Sequence, residues 1–112
     1  MASFDLSQLK ELLGNDEEAL KDILRAFATD YERYISELEI SVTSKNSENI
    51  RKSAHALKSV VGTFNLTDLF EYVNKIENKA KENSLENIPE LFDKFKSGIL
   101  DFRSWIKKTY LI

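Results

Sequence analysis

Apolar residues recur at helical spacing in five stretches of this chain, and each recurrence marks one face of a helix. The first stretch is short. Leu6, Leu9, Leu12 and Leu13 predict a helix over 5–13, with Asp5 as its cap and Gln8 at the third helical position. Phe4 and Leu9 have the spacing of a hydrophobic staple across its start. Gly14 ends it, because glycine enters the left-handed conformation without a side-chain clash. The second stretch opens at Asn15 or Asp16, and Asn15 with Glu18 has capping-box spacing. Leu20, Ile23, Leu24, Phe27, Tyr31, Tyr34, Ile35 and Leu38 then line one broad face over 16–41. That helix is roughly 39 Å long at the usual rise per residue. The serines and asparagine between Ser41 and Ser47 read as a turn, with Val42 still able to reach the core.

A third helix is expected over 47–63, where Ile50, Ala54, Leu57, Val61 and Phe64 form an interior stripe. Asn65 breaks it, since asparagine tolerates positive φ better than most residues. The fourth, over 66–82, carries Leu66, Leu69, Val73, Ile76 and Ala80 and frays at Glu82-Asn83-Ser84. The fifth, over 88–109, opens near Asn87 with Pro89 in its first turn and Glu90 three beyond the cap. Its stripe is Leu91, Phe92, Phe95, Ile99, Phe102, Trp105 and Ile106. Gly98 lies inside this helix at a propensity cost of about 1 kcal/mol relative to alanine, which marks either close approach of a neighbouring helix or an unselected position. Four long helices on short connections bury their stripes most simply as an antiparallel up-down-up-down four-helix bundle. The short N-terminal helix then covers one end. No stretch alternates with period two, so the expected fold class is all-α.

Composition sharpens this picture. A chain of 112 residues suits one domain spanning 1–112. At that size roughly two-thirds of the unfolded surface is buried, enough for a core without disulfide or metal. The 42% hydrophobic content and seven phenylalanines supply that core and argue against disorder. Absence of cysteine excludes a disulfide framework, a thiol nucleophile and cysteine-ligated zinc, and is compatible with the cytoplasm. The N-terminal residues lack a signal-peptide pattern, and no apolar run approaches the ~20 residues of a membrane span. The expected location is therefore cytoplasmic. An opening methionine and this length fit a free-standing protein, and equally an excised piece of a larger one.

A formal net charge of -3 offers no general attraction to phosphate backbones or anionic membranes. Neither nucleic acid nor membrane is therefore an expected partner. Basic residues cluster at Arg51-Lys52, Lys94-Lys96 and Lys107-Lys108, each near acidic residues. The second and third clusters read as ordinary solvated helix faces. The first differs because it is in phase with His55, the chain's single histidine.

On a helix, positions three and four apart share a face, so Arg51, Lys52, Lys58, Ser59 and Gly62 surround His55. His55 sits about 100° from Ala54, at the edge of the interior stripe, where one ring nitrogen is supported by protein and the other meets solvent. An unprotonated imidazole there is a nucleophile. Lys58, with Arg51 or Lys52, can offset charge on phosphoryl oxygens, and the small Ser59 and Gly62 leave room for a partner's loop. Taken alone, a histidine beside a helical stripe is most often solvated or bonded locally. One histidine without cysteine cannot close a zinc site, and no carboxylate pattern marks a calcium loop. Paired carboxylates around a cleft, a glycine-rich phosphate cradle and an ATP-binding motif are also missing.

The run His55-Ala56-Leu57-Lys58-Ser59-Val60-Val61-Gly62-Thr63-Phe64-Asn65-Leu66 resembles the signature of histidine-containing phosphotransfer (HPt) domains. His55, Leu57, Lys58, Gly62 and Phe64 match that pattern, as does the preceding Ala54. The helices before and after follow the family's usual order, so the resemblance covers most of the chain. Three departures stand out. Ser59 replaces the usual glycine one turn beyond the histidine, Asn65 replaces the glycine that usually ends the helix, and Val60, Val61 and Leu66 are bulkier than common.

The resemblance implies a phosphocarrier of two-component phosphorelays. His55 would accept a phosphoryl group from a receiver-domain aspartyl phosphate on Nε2 and pass it to another receiver aspartate. It implies Lys58 as charge compensation, and Arg51, Lys52, Ser59 and Gly62 as docking residues. The partners implied are the receiver domain of a hybrid histidine kinase, a response regulator, or both. No cofactor is expected on this chain, and Mg2+ is expected in the receiver. Whether to class such a carrier as an enzyme stays open, but it is not an autonomous ATP-dependent kinase. Two alternatives remain: a helical module that docks or sequesters a receiver without relaying phosphate, and a kinase-derived domain phosphorylated by an ATP-binding domain.

Overall fold

The computed structural model describes residues 4–112. Its helices are α1 Ser7–Leu12, α2 Glu17–Thr43, α3 Ser47–Thr63, α4 Thr67–Lys81 and α5 Ile88–Tyr110, with no strand among the described residues. The sequence reading of an all-α chain with four long helices and a short first one is borne out.

The helix ends follow from residues that tolerate a left-handed backbone. Gly14 at φ 67°, Lys45 at 55°, Asn65 at 56° and Asn83 at 54° each follow a helix C-terminus. In each case the next amide reaches back to an orphan carbonyl: Asn15 to Lys10, Asn46 to Ser41, Leu66 to Val61 and Ser84 to Lys79. These are the bonds that close a helix with a left-handed residue. Asn65 thus does what a glycine would do there. Lys45 had no such compositional signal, and α2 runs on to Thr43, past the expected end at 41. Ser41, expected in the turn, is instead buried, its hydroxyl donating to Glu37 O at 2.9 Å.

Asp16, not Asn15, caps α2, accepting the amides of Glu18 and Ala19, while Asn15 takes φ 60°. Asp5 accepts the Ser7 amide at 2.9 Å, although the N-cap position itself is Leu6. Asn87 precedes α5 at φ 64° and gives no side-chain cap. Its carbonyl accepts from Leu91, and Pro89 fills a first-turn position whose amide has no helical partner anyway.

Contacts run in opposite order along the α3–α4 and α2–α5 pairs, so each of these pairs is antiparallel. Between α3 and α4, Ser47 bonds Asn83, His55 meets Glu77 and Lys58 meets Asn74. Between α2 and α5, Phe27 meets Phe102 and Glu39 meets Lys96. The apolar stripes of the four long helices turn inward: Leu20, Leu24 and Leu38, Ala54 and Val61, Val73 and Ile76, and Phe95, Phe102 and Ile106 are fully buried, whereas Leu12 of the short α1 stays exposed. Burying a Leu, Ile or Phe side chain contributes about 1.5–3 kcal/mol each.

At one end, Phe4, Phe27, Phe64 and Phe102 pack with ring centroids 5.2–5.5 Å apart. The short α1 lies over that end, with Leu6 and Leu9 buried and Gln8 Oε1 accepting from Asn65 Nδ2 at 3.1 Å. Gly98 is explained by close approach. A methyl carbon there would overlap Leu69 Cδ2 and crowd its Cγ at 3.2 Å.

Candidate functional site

The stripe of α3 puts Ala54, Leu57 and Val61 into the core and leaves His55 at its edge, with 61% of its side chain exposed. One face of the ring is nevertheless held. His55 Nδ1 lies 2.8 Å from Oε2 of Glu77, on the facing helix α4. Glu77 is itself buried, with its side chain only 2% exposed.

Three cationic or cationisable groups surround this carboxylate. Lys58 Nζ stands 2.6 Å from Glu77 Oε1, and Lys81 Nζ stands 3.7 Å from Oε2. Oε1 receives no well-angled hydrogen bond, so the Lys58 ammonium balances it as a charge at close range. Burial alone raises the Glu77 pKa. Lys58, the His55 hydrogen bond and the charge of Lys81 outweigh that, and the carboxyl is held below the ordinary glutamate range. Glu77 is therefore ionised at neutral pH and can only accept. A neutral His55 consequently carries its proton on Nδ1, and the lone pair of Nε2 is presented on the exposed side.

Glu77 escaped the sequence reading because a charged residue on a helix reads as solvent-facing. A signal was nonetheless present. Glu77 follows Val73 by four positions and precedes Ala80 by three, so it lies in the interior stripe of α4. An acidic residue in an apolar stripe asks for a buried counter-charge, and the basic His55-Lys58 helix faces it.

Of the other expected residues, Lys58 is near His55 but is drawn inward, 24% exposed, between Glu77 and Asn74 Oδ1 at 3.4 Å. Arg51 points its guanidinium at Glu48, with Nη2–Oε1 2.6 Å and Nε–Oε2 3.3 Å. Lys52 is 65% exposed and 3.9 Å from the same Glu48. Ser59 and Gly62 are exposed on the His55 side of α3. No group of three or more His, Cys, Asp or Glu among the described residues is placed to hold a metal ion.

A solvent-facing imidazole with a free nitrogen, backed by a buried carboxylate and flanked by lysine, can accept and release an electrophilic phosphoryl group.

No curated protein sequence matches the chain. A solved structure, that of histidine-containing phosphotransfer protein B (HptB) from Pseudomonas aeruginosa PAO1, superposes with a TM-score of 0.85 over 94% of this chain and 91% of that one. Its sequence is 21% identical, so this likeness establishes the fold. The Hpt domain family model matches residues 22–105, which covers α3 and α4, most of α2 and α5, and the whole His55 site. The chain therefore belongs to the Hpt domain family, the histidine phosphocarriers of two-component phosphorelays, and is a phosphotransfer protein rather than an autonomous kinase.

Proposed function

We propose that Nε2 of His55 is the phosphoryl acceptor, and that Glu77 and Lys58 set its reactivity. The observation that carries this reading is the 2.8 Å contact between an exposed histidine and a buried, ionised carboxylate. In the forward step Nε2 attacks the phosphorus of a receiver aspartyl phosphate. The N–P bond forms as the P–O bond to aspartate breaks, and the carboxylate leaves as the anion. The Nδ1 proton stays in place, so the ring gains positive character, which the Glu77 charge offsets. The reverse sequence delivers the group to the next receiver.

Lys58 lies one short turn from His55 and supplies positive charge for the phosphoryl oxygens while remaining tethered to Glu77. Ser59 and Gly62 keep the approach to the ring low, and Lys52 adds long-range attraction at the other side. Arg51, tied to Glu48, contributes through Lys52's side of the surface rather than by direct contact.

We assign the partners as receiver domains of a hybrid histidine kinase, a response regulator, or both, and assign the Mg2+ of the reaction to those receivers. Among the described residues no helix is long and apolar enough to cross a membrane. With a cysteine-free sequence, this suits the cytoplasm, where we expect the exchange.

The test is incubation with a phosphorylated receiver, followed by assay for acid-labile, base-stable phosphate on this chain. Label is expected on the wild type and none on His55→Gln. Equal labelling of both proteins overturns the assignment of the acceptor.

A further inference from the structure

The face that carries His55 changes character along its length. Three contacts cross the α3–α4 seam in order: His55 to Glu77, Lys58 to Asn74, and Gly62 against Phe70. The first two are polar and the third is apolar. A methyl carbon on Gly62 would stand 3.9 Å from Cδ2 and Cε2 of Phe70, so the ring lies directly beside the bare glycine.

Phe70 keeps 38% exposure. The other large apolar side chains exposed among the described residues are Leu12, Ile40, Leu100 and Leu111, on α1, α2, α5 and beyond α5. Phe70 is the one borne by a helix of the His55 seam. Gly62 has no side chain to cover it, Ser59 is small, and Lys58 is drawn away toward Glu77. From His55 to Gly62 is about 10 Å along α3. That is well inside a standard protein interface of roughly 800 Å² per partner. A receiver that brings an aspartate to Nε2 of His55 therefore comes within reach of the ring.

We propose that Phe70 is the apolar anchor on which a receiver domain seats while its aspartate faces His55. The receiver then presents apolar side chains toward the α3–α4 turn and its charged groups toward Lys52. This rests on the His55 reading above. Phenylalanine is enriched at protein interfaces, and burying an exposed ring recovers apolar area while fixing only two side-chain torsions. Binding through Phe70 is also insensitive to ionic strength, unlike attraction through Lys52.

The experiment charges the full chain with phosphoramidate, a small donor with no docking surface, and then titrates it with a receiver domain. Wild type, Phe70→Ala and Phe70→Leu are expected to charge equally and to melt at similar temperatures. The receiver concentration giving half-maximal transfer is expected to rise about ten-fold for Phe70→Ala, with an unchanged saturating rate. Phe70→Leu should stay near wild type, and the Phe70→Ala shift should persist at high salt.

Identical titrations for wild type and Phe70→Ala overturn the proposal, as does a shift that vanishes at high salt. So does an effect on self-association alone, which would make Phe70 a contact between copies of this chain. Failure of phosphoramidate to label His55 in the wild type removes the underlying reading, and the anchor with it.

Discussion

Replacing Glu77 with alanine removes the group that both holds the His55 ring and neutralises Lys58. Two costs follow, and they separate. For stability, deleting one partner of a fully buried ion pair costs about 3–5 kcal/mol. Here Lys58 retains 24% exposure and can turn its ammonium into water, which reduces the expected loss to about 1–3 kcal/mol. For reactivity, a hydrogen bond to a charged group is worth about 1.5–3 kcal/mol. With the histidine side chain 61% exposed, solvent screens part of that, leaving about 1–2 kcal/mol, or roughly a 5- to 30-fold slower transfer.

Glu77→Gln divides the effect, because the amide oxygen still accepts from Nδ1 but carries no charge. The assays are single-turnover transfer from a phosphorylated receiver and nitrogen NMR of the imidazole. Glu77→Ala should lose the Nδ1-protonated tautomer and slow transfer. Glu77→Gln should keep the tautomer while slowing transfer less. An unaltered tautomer and unaltered kinetics in Glu77→Ala would refute the role given to the carboxylate.

Other outcomes are expected from the same geometry. Leu57 is 2% exposed, so Leu57→Ala should destabilise by about 2–5 kcal/mol in a urea melt, through lost transfer energy and a residual cavity. Gly98→Ala gains about 1 kcal/mol of helix propensity but forces Leu69 aside at about 1–3 kcal/mol, a net loss that should become a gain in a Leu69→Ala background. The folded-state pKa of Glu77 lies below its ordinary value of 4.5, so the unfolded chain takes up that proton first. The stability Glu77 contributes is present above pH 4.5 and is lost as pH falls through the folded pKa; acid titration of Glu77→Gln should show a shallower decline. Ser59 is exposed one turn from His55, so Ser59→Trp should block receiver-dependent labelling and Ser59→Gly preserve it, both with native helix content by circular dichroism.

The bundle was largely legible in the sequence because its stripes keep helical period without interruption, and because Gly14 and Asn65 sit where a left-handed residue is needed. Lys45 adopts the same backbone without such a signal, so the sequence places the end of α2 too early; Asn87 does stand at the N-cap of α5, but in a left-handed conformation that keeps its side chain from capping. The acceptor and the nearby lysine were legible too, since both are local to α3. Glu77 was not. Its position is decided by pairing between two helices, and periodicity within α4 could place it inward but could not say what it would meet. Lys58 changed meaning for the same reason: on α3 alone it is a free cation, and across the seam it has a partner.

The contacts that build the site span little of the chain. His55 and Glu77 are 22 residues apart, and Lys58 and Asn74 are 16 apart, with only the α3–α4 turn between them. The aromatic cluster, by contrast, joins Phe4 and Phe27 to Phe102, near opposite ends of the sequence. Closing a short loop sacrifices less chain entropy than closing a long one. The His55–Glu77 contact therefore closes at a smaller loss of chain entropy than the Phe4–Phe102 or Phe27–Phe102 contacts, and hydrogen exchange across α3 and α4 is expected to be slower than across α1. The functional chemistry thus rests on near neighbours in sequence, while the core beneath it draws on all four long helices.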